Sequence, residues 1–316
     1  MRIAAVLNRE GGTLRTTDVE RLCADLGEAF AGAGRHLQCC VTDGAGLLET
    51  LDEQTGRDDI DCIVAGGGDG TVSAAAAACW RSGKTLAILP CGTMNFFART
   101  LGVPLDLAEA VPALAGANEA LADIATANGR PFIHQFSVGM QPRMVIEREQ
   151  QDYNSRLGKI LASARAALSP LMRPPSFPAV VTADGAASKT HLSLLAISTN
   201  PHGEGHLPYP DTFDAGRLGL YRAPPLRPRA ALQLAADLTL GNWSANGDFE
   251  AASADRVVVE FPRRKKGAKA VVDGELVDLE PEVDVRLQRQ ALRVLSLAEP
   301  VQAPSSAGVK AGAAAG

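Results

Sequence analysis

Three consecutive glycines followed by Asp-Gly-Thr, Gly66 to Thr71, constrain this chain more than anything else in its sequence. The run stands between a short apolar segment, Ile60 to Ala65, that reads as a strand and an alanine-rich segment, Val72 to Arg81, that reads as a helix. Glycine lets backbone N–H groups approach a ligand closely, and a helix N-terminus adds positive partial charge, so such a junction suits phosphate. A plain strand-to-helix turn needs fewer glycines. Two phosphate loops of fixed spacing are excluded by counting. A dinucleotide fingerprint needs G-x-G-x-x-G, but Gly66-x-Gly68 leads to Thr71 and Gly68-x-Gly70 leads to Ser73. Gly83-Lys84-Thr85 ends like a Walker loop, but Ala78 stands where its first glycine belongs, so Lys84 reads as a turn residue.

The apolar rhythm around this junction repeats. Ile3 to Leu7, His36 to Val41 and Leu86 to Leu89 read as strands, the last stopped by Pro90. Val19 to Ala31 carries Leu22, Leu26 and Phe30 at helical spacing, Leu47 to Leu51 reads as a short helix, and Asp106 with Glu109 looks like a capping box. Strands alternating with helices imply a parallel sheet covered on both faces, whose ligands sit at the strand C-termini. After Asn128 the texture changes. Phe132 to Val138, Ala179 to Thr182, Leu192 to Ser198, Leu218 to Tyr221, Val257 to Phe261 and Val283 to Leu287 read as strands between Gly, Pro and Asp turns. Helices are expected around Ile146 to Leu168 and Ala230 to Leu240. The expected fold class is α/β, with an N-terminal doubly wound parallel-sheet nucleotide-binding domain over 1–128. A C-terminal, mostly antiparallel, β-sandwich-like domain is expected over 129–300, and 301–316 reads as a disordered tail.

Composition removes other classes. A net charge of −5 and 4% aromatic residues argue against a general nucleic-acid binder, which needs cations for phosphates and rings for bases. No stretch approaches the ~20 apolar residues that span a bilayer, and the N-terminus lacks a signal-peptide pattern. The six cysteines, all between Cys23 and Cys91, form no C-x-x-C pair and read as buried thiols in a reducing compartment. A cytoplasmic protein is expected.

A second loop, Leu89-Pro90-Cys91-Gly92-Thr93-Met94-Asn95-Phe96-Phe97-Ala98-Arg99, again joins a strand to a helix. Alone, Thr93 reads equally as an N-cap or a ligand contact. Together, GGGDGT and P-x-G-T-x-N-x-x-A-R resemble the diacylglycerol kinase catalytic-domain family, which includes bacterial lipid kinases and sphingosine kinases. The resemblance runs over most of the chain, residues 1 to 298. It takes in Asn8 after the first strand, with Arg9 where the family has proline, Thr42 after the second, and Asp123 before Asn128-Gly129-Arg130. Val272-Asp273-Gly274-Glu275 falls where the family has D-G-E.

The resemblance implies ATP- and Mg²⁺-dependent phosphoryl transfer to a lipid hydroxyl, needing a positioned nucleotide, charge neutralisation and a base. It assigns the nucleotide to Asn8, Thr42, Gly66, Gly67, Gly68, Asp69, Gly70, Thr71, Val72, Gly92, Thr93 and Asn95. It assigns Mg²⁺ to Asp69 and Asp123, and the hydroxyl proton to an acidic pair, Asp273 and Glu275. Residues two apart on a strand share a face, so that pair can point into one cleft. Asp-Gly between apolar runs is also a two-residue hairpin signal. A membrane lipid substrate implies transient peripheral membrane contact, and a homodimer is allowed. NAD- or sugar-phosphate-type kinases share G-G-D-G-T and form the nearest alternative, followed by a regulatory nucleotide binder.

The pattern departs in three further places. Phe96 stands where the family has an aspartate of the metal site, Ala215 stands at a structural-metal ligand position, and Met140-Gln141 follows Gly139 in place of the usual Asp-Ala. His202, Glu204 and His206 alternate in a Gly/Pro loop, which fixes no coordination geometry. The run Arg263-Arg264-Lys265-Lys266, with Lys269, reads either as a contact for anionic headgroups or as a solvated hairpin end.

Overall fold

The computed structural model describes residues 1–149 and 170–300. The expected tail, and most of the helix expected over Ile146 to Leu168, lie outside the described residues. Strands β1 (Arg2–Asn8), β2 (His36–Thr42), β3 (Cys62–Gly67) and β4 (Thr85–Pro90) alternate with helices α1 (Val19–Gly32), α2 (Leu47–Gly56) and α3 (Asp69–Ser82). The four strands pair in parallel in the order β2-β1-β3-β4. β3 and β4 are buried at every residue, as expected of central parallel strands covered by helices on both faces. α1 starts at an Asp18 cap that accepts from Arg21 N–H, and it buries Leu22, Leu26 and Phe30. α3 packs through Ala75, Ala76, Ala78 and Cys79, small side chains that let its axis lie close to the sheet.

The chain continues through α4 (Phe96–Thr100), α5 (Leu107–Gly116), β5 (Asn118–Ala127), β6 (Arg130–Phe132), β7 (Gln135–Gly139) and α6 (Met140–Glu149). It then forms β8 (Phe177–Ala183), β9 (Ala186–Leu192), β10 (Leu194–Ser198), β11 (Leu218–Ala223), α7 (Pro228–Leu240) and β12 (Glu250–Ala254). β13 (Arg256–Glu260), β14 (Lys269–Val272), β15 (Glu275–Asp278) and β16 (Glu282–Ser296) complete it. The parallel strands extend into a mixed sheet, β4-β16-β13-β8-β9, with β5 on β16 and β6 on β5. A second sheet, β12-β11-β10-β7-β14-β15, is antiparallel at every pairing. Between the sheets lies a core that includes Phe136, Leu195, Ile197, Val257, Val259 and Val285.

Three differences from the sequence reading bear on the site. First, the strand expected over Val283 to Leu287 is a 15-residue strand. Its register on β5 shifts between Gln288 and Leu292, with Gln290 at φ 49°, and beyond that bulge Val294 pairs in parallel with Leu86 of β4. Val283 and Val285 therefore serve the second core, while Leu292, Val294 and Leu295 serve the first. Second, the run expected as one strand from Phe132 to Val138 is split at Ile133 and His134, whose amides turn toward a carboxylate described below. Third, the glycine loop is short. β3 runs through Gly67 and α3 begins at Asp69, which leaves Gly68 as the cap.

Candidate active site

The loops after β1, β3 and β4 converge at the C-terminal edge of the parallel sheet, beside the β1/β3 position where the strand order reverses. Their glycines divide into two kinds. A Cβ on Gly67 would lie 2.5 Å from the Thr71 side chain, and one on Gly92 would lie 2.8 Å from Gly68 Cα. One on Gly66 would strike Leu7. These three glycines let chains touch. Gly68 and Gly70 have room, with nearest atoms at 3.8 and 3.9 Å, and the bare side of Gly70 faces the cleft. Gly68 provides no side-chain cap, and the first backbone bond of α3 is Val72 N–H to Gly68 C=O at 3.1 Å. The amides of the first turn are thus presented to whatever occupies the cleft.

Asp69 ties the two glycine loops together, because its Oδ2 accepts from Asn95 N–H at 3.2 Å and its Oδ1 from Phe96 N–H at 2.9 Å. Asn95, at φ 51°, folds its own loop by exchanging two 2.8 Å bonds with the Gly92 backbone, so its side chain is a loop staple. Asn8 donates to Thr71 Oγ1 at 3.2 Å and accepts from Glu10 N–H. Thr93 is exposed at the loop tip, and Thr42 sits on the rim, where its carbonyl accepts from Arg9 N–H. Lys84 donates to the carbonyls of Arg57 and Ile60, which makes it the turn anchor the counting implied.

The opposite wall comes from the second sheet. Asp273 and Gly274, at φ 48° and 91°, are the two-residue turn between β14 and β15. The Asp273 carboxylate is buried and accepts four hydrogen bonds: from Ile133 N–H at 2.9 Å, His134 N–H at 2.9 Å, Gln135 N–H at 3.0 Å and Ser73 Oγ at 2.7 Å. Burial raises its pKa above the usual carboxylate range, and the four donors oppose that rise. The sequence reading put Asp273 and Glu275 on one strand face. Instead Asp273 occupies the turn and points inward, while Glu275 opens β15, exposed and paired with Arg130 at 2.8 Å.

A cleft of about 460 Å³ separates the walls, touching Asp69, Gly70, Phe96, His134, Asp273 and Glu275. His134 was not singled out from sequence, where a lone histidine in an apolar run carries no spacing signal. Its ring stacks on Phe96 at 4.4 Å, and burial pushes its pKa down to about 4, so the imidazole is neutral near pH 7. Neither ring nitrogen has a hydrogen-bond partner among the described residues. The Phe96 departure therefore places an aromatic floor where the resemblance calls for a carboxylate. Beside the cleft lies an apolar cavity of about 330 Å³ that shares Met94, Phe96, Gln135, Gln141 and Pro208 with it and extends past Leu194 to Leu234 and Leu238.

Asp123 belongs to a different neighbourhood from Asp69. It is fully buried, with Oδ1 accepting from Gln290 N–H and Oδ2 from Gly216 N–H, so it fastens the β16 bulge to the loop containing Ala215. Asp123 does not line the cleft that Asp69 lines, so the two carboxylates paired for Mg²⁺ in the sequence reading do not meet at one site. No group of three metal-capable side chains occurs among the described residues. The donor set fits Mg²⁺ only where nucleotide phosphates supply most ligands and Asp69 acts at the edge of that shell. In the Gly/Pro loop, His206 Nε2 meets Asp211 at 2.7 Å and His202 stacks on Tyr221 at 4.5 Å.

Comparison with known proteins adds to this geometry. Residues 2–127 match the family described as diacylglycerol kinase catalytic domain. An uncharacterized Synechocystis protein is 27% identical over 80% of this chain and 58% of its own length. A Pseudomonas aeruginosa protein named "Probable lipid kinase YegS-like" is 35% identical over 45% of each chain. These alignments span about half the length of the curated relatives. The crystal structure of a diacylglycerol kinase from Bacillus anthracis superposes with a TM-score of 0.68 at 20% identity, covering 93% of this chain and 96% of that one. A second B. anthracis structure gives 0.73 at 22%, covering 93% and 95%. At these identities the superpositions establish a shared fold.

Proposed function

We propose, from the match of residues 2–127 to the diacylglycerol kinase catalytic domain family, that the protein transfers the γ-phosphoryl group of ATP to a hydroxyl of a diacylglycerol-like or related lipid. What supports the reading is the cleft that sets the uncapped start of α3 and Asp69 against Glu275 and His134, with an apolar cavity opening from its side. Phosphate oxygens would accept from the amides of the first α3 turn beside Gly68 and Gly70, with Asn8 and Thr71 fixing the loop and Thr93 and Thr42 at the rim. Mg²⁺ carried on the phosphates would neutralise their charge, with Asp69 as its protein contact.

In this reading the acceptor oxygen bonds to the γ-phosphorus as the bridging bond to ADP breaks, and the hydroxyl proton leaves to a carboxylate. Glu275 has the oxygen to spare. Its Oε2 meets Arg130, while Oε1 is the atom nearest the open side of Gly70. Asp273 acts through the loop it holds, presenting His134 to the acceptor. The apolar cavity supports a lipid acceptor, since a sugar or dinucleotide would leave the partly exposed Leu194 and Leu238 uncovered.

A regulatory nucleotide binder without catalysis is the second reading, and the Phe96 ring inside the cleft is the observation that favours it. Labelled γ-phosphate transfer from ATP, with Mg²⁺, to diacylglycerol, sphingoid bases, phosphatidylglycerol, NAD and small sugars separates the two. Label in one lipid, lost in Glu275→Gln, supports the kinase. Label confined to NAD or a sugar overturns the lipid acceptor, and ATP binding with no transfer favours the regulatory reading.

A further inference from the structure

A second cleft, of about 540 Å³, lies on the far side of α6 from the apolar cavity. Its lining carries Arg143, Arg263, Arg264, Lys265, Lys266 and Lys269, and no Asp or Glu among the described residues. In a chain of net charge −5 this segregation of charge is a local feature. The four consecutive cations ride on two tight turns between β13 and β14, closed by Arg264 N–H to Phe261 C=O and Ala268 N–H to Lys265 C=O, both 3.1 Å. All four are exposed and enter no ion pair among the described residues, whereas Lys269 pairs with Asp278 at 2.8 Å. The wall behind them is apolar, with Ile146 and Phe177 partly exposed and the Phe177 ring 6.1 Å from that of the buried Phe261.

We propose that this cleft docks the protein on an anionic lipid bilayer, the cations meeting phospholipid phosphates and the apolar wall meeting the acyl boundary. Charge and apolar surface side by side match a headgroup layer. Exposed side chains on surface turns form no enclosure for a free phosphate. Helix α6 supplies the connection to the active site. Pro142, Arg143 and Ile146 line the basic cleft, while Met140, Gln141 and Met144 line the apolar cavity one face away. Docking there brings the cavity alongside the bilayer from which an acyl chain is drawn. The docking is independent of whether the cleft transfers phosphate, and it is tested by binding alone.

The experiment is co-sedimentation of the full chain with phosphatidylcholine vesicles and with vesicles also containing phosphatidylglycerol, without nucleotide. Binding is expected only to the anionic vesicles and is released by high salt. Each cation is worth about fivefold in partitioning, the equivalent of about 1 kcal/mol. Arg263→Ala, Arg264→Ala, Lys265→Ala and Lys266→Ala together therefore lower it roughly 600-fold. Removing four exposed cations elsewhere, Lys189, Arg227, Arg229 and Arg293, leaves binding unchanged, and thermal melts confirm that both variants fold. Equal binding to neutral vesicles, an equal loss in both variants, retained binding in the first, or displacement by millimolar inorganic phosphate would each overturn the proposal.

Discussion

Replacing Asp273 by asparagine is expected to destabilise the protein by about 2 kcal/mol, whatever it does to activity. Each carboxylate oxygen accepts two donors: Oδ2 takes Ile133 N–H and Ser73 Oγ–H, and Oδ1 takes His134 and Gln135 N–H. An asparagine keeps one oxygen for the His134 and Gln135 amides and turns its NH₂ toward Ser73, whose hydroxyl can rotate to accept, which leaves Ile133 N–H unpaired. A buried donor left unpaired costs about 1–3 kcal/mol, so the loss is roughly 2 kcal/mol, a sizeable share of the ~5–15 kcal/mol available to a fold. Ser73→Ala removes one donor, leaves the carboxylate three others, and should cost about 1–2 kcal/mol. Urea unfolding measures both. With a slope of ~1–3 kcal/mol per molar, Asp273→Asn should lower the midpoint by about 0.7–2 M. A midpoint within about 0.3 M of wild type would refute the argument and release Asp273 for proton transfer. If the loss is found, inactivity of Asp273→Asn says nothing about a base, and Glu275→Gln becomes the informative variant.

Gly67→Ala should cost about 1–3 kcal/mol, because its Cβ would meet Thr71 at 2.5 Å. Gly70→Ala should fold at least as well as wild type and weaken ATP binding about tenfold in calorimetry, since its open side faces the cleft. His134→Phe preserves the stack on Phe96 while deleting both ring nitrogens. It should lower kcat by roughly 10–100-fold with ATP affinity unchanged, and unaltered turnover would remove the imidazole from the site. Phe96→Asp brings a carboxylate beside Asp69 at the cost of the stack. A large gain in transfer would mark the present site as decayed, and a loss would mark it as working in altered form. Asp284 is held down to about 2 by Arg256 first and then Arg286. The sign follows from a folded value below the unfolded ~3.8: stabilisation is complete above about pH 4, disappears as pH falls toward 2, and is absent in Asp284→Asn. Melting temperatures of the two proteins should converge across that window by about 1 kcal/mol equivalent, the pair being partly exposed.

What the sequence determined by itself was local. Alternating apolar runs placed β1 to β4 and their helices within a few residues, since periodicity reports which face of a segment meets a core. The glycine run marked the strand-to-helix junction, and Asp273-Gly274 carried both of its meanings, hairpin and site, without revealing that the turn occupies the cleft wall. What the tertiary structure decided depends on partners distant in the chain. Ser73 and Asp273 are 200 positions apart, and Asp123 and Gln290 are 167 apart. No period or spacing encodes such pairings, and the inward turn of Asp273 and the enclosure of Asp123 follow from them. The length of β16 belongs here too. Its N-terminal half reads as a strand, but the bulge at Gln290 that carries it on to Leu86 is fixed only when both cores and the Asp123 carboxylate are in place. His134 shows the same limit at the site, because a histidine becomes a neutral, stacked, cleft-facing group only after Phe96 and the buried carboxylate have positioned it.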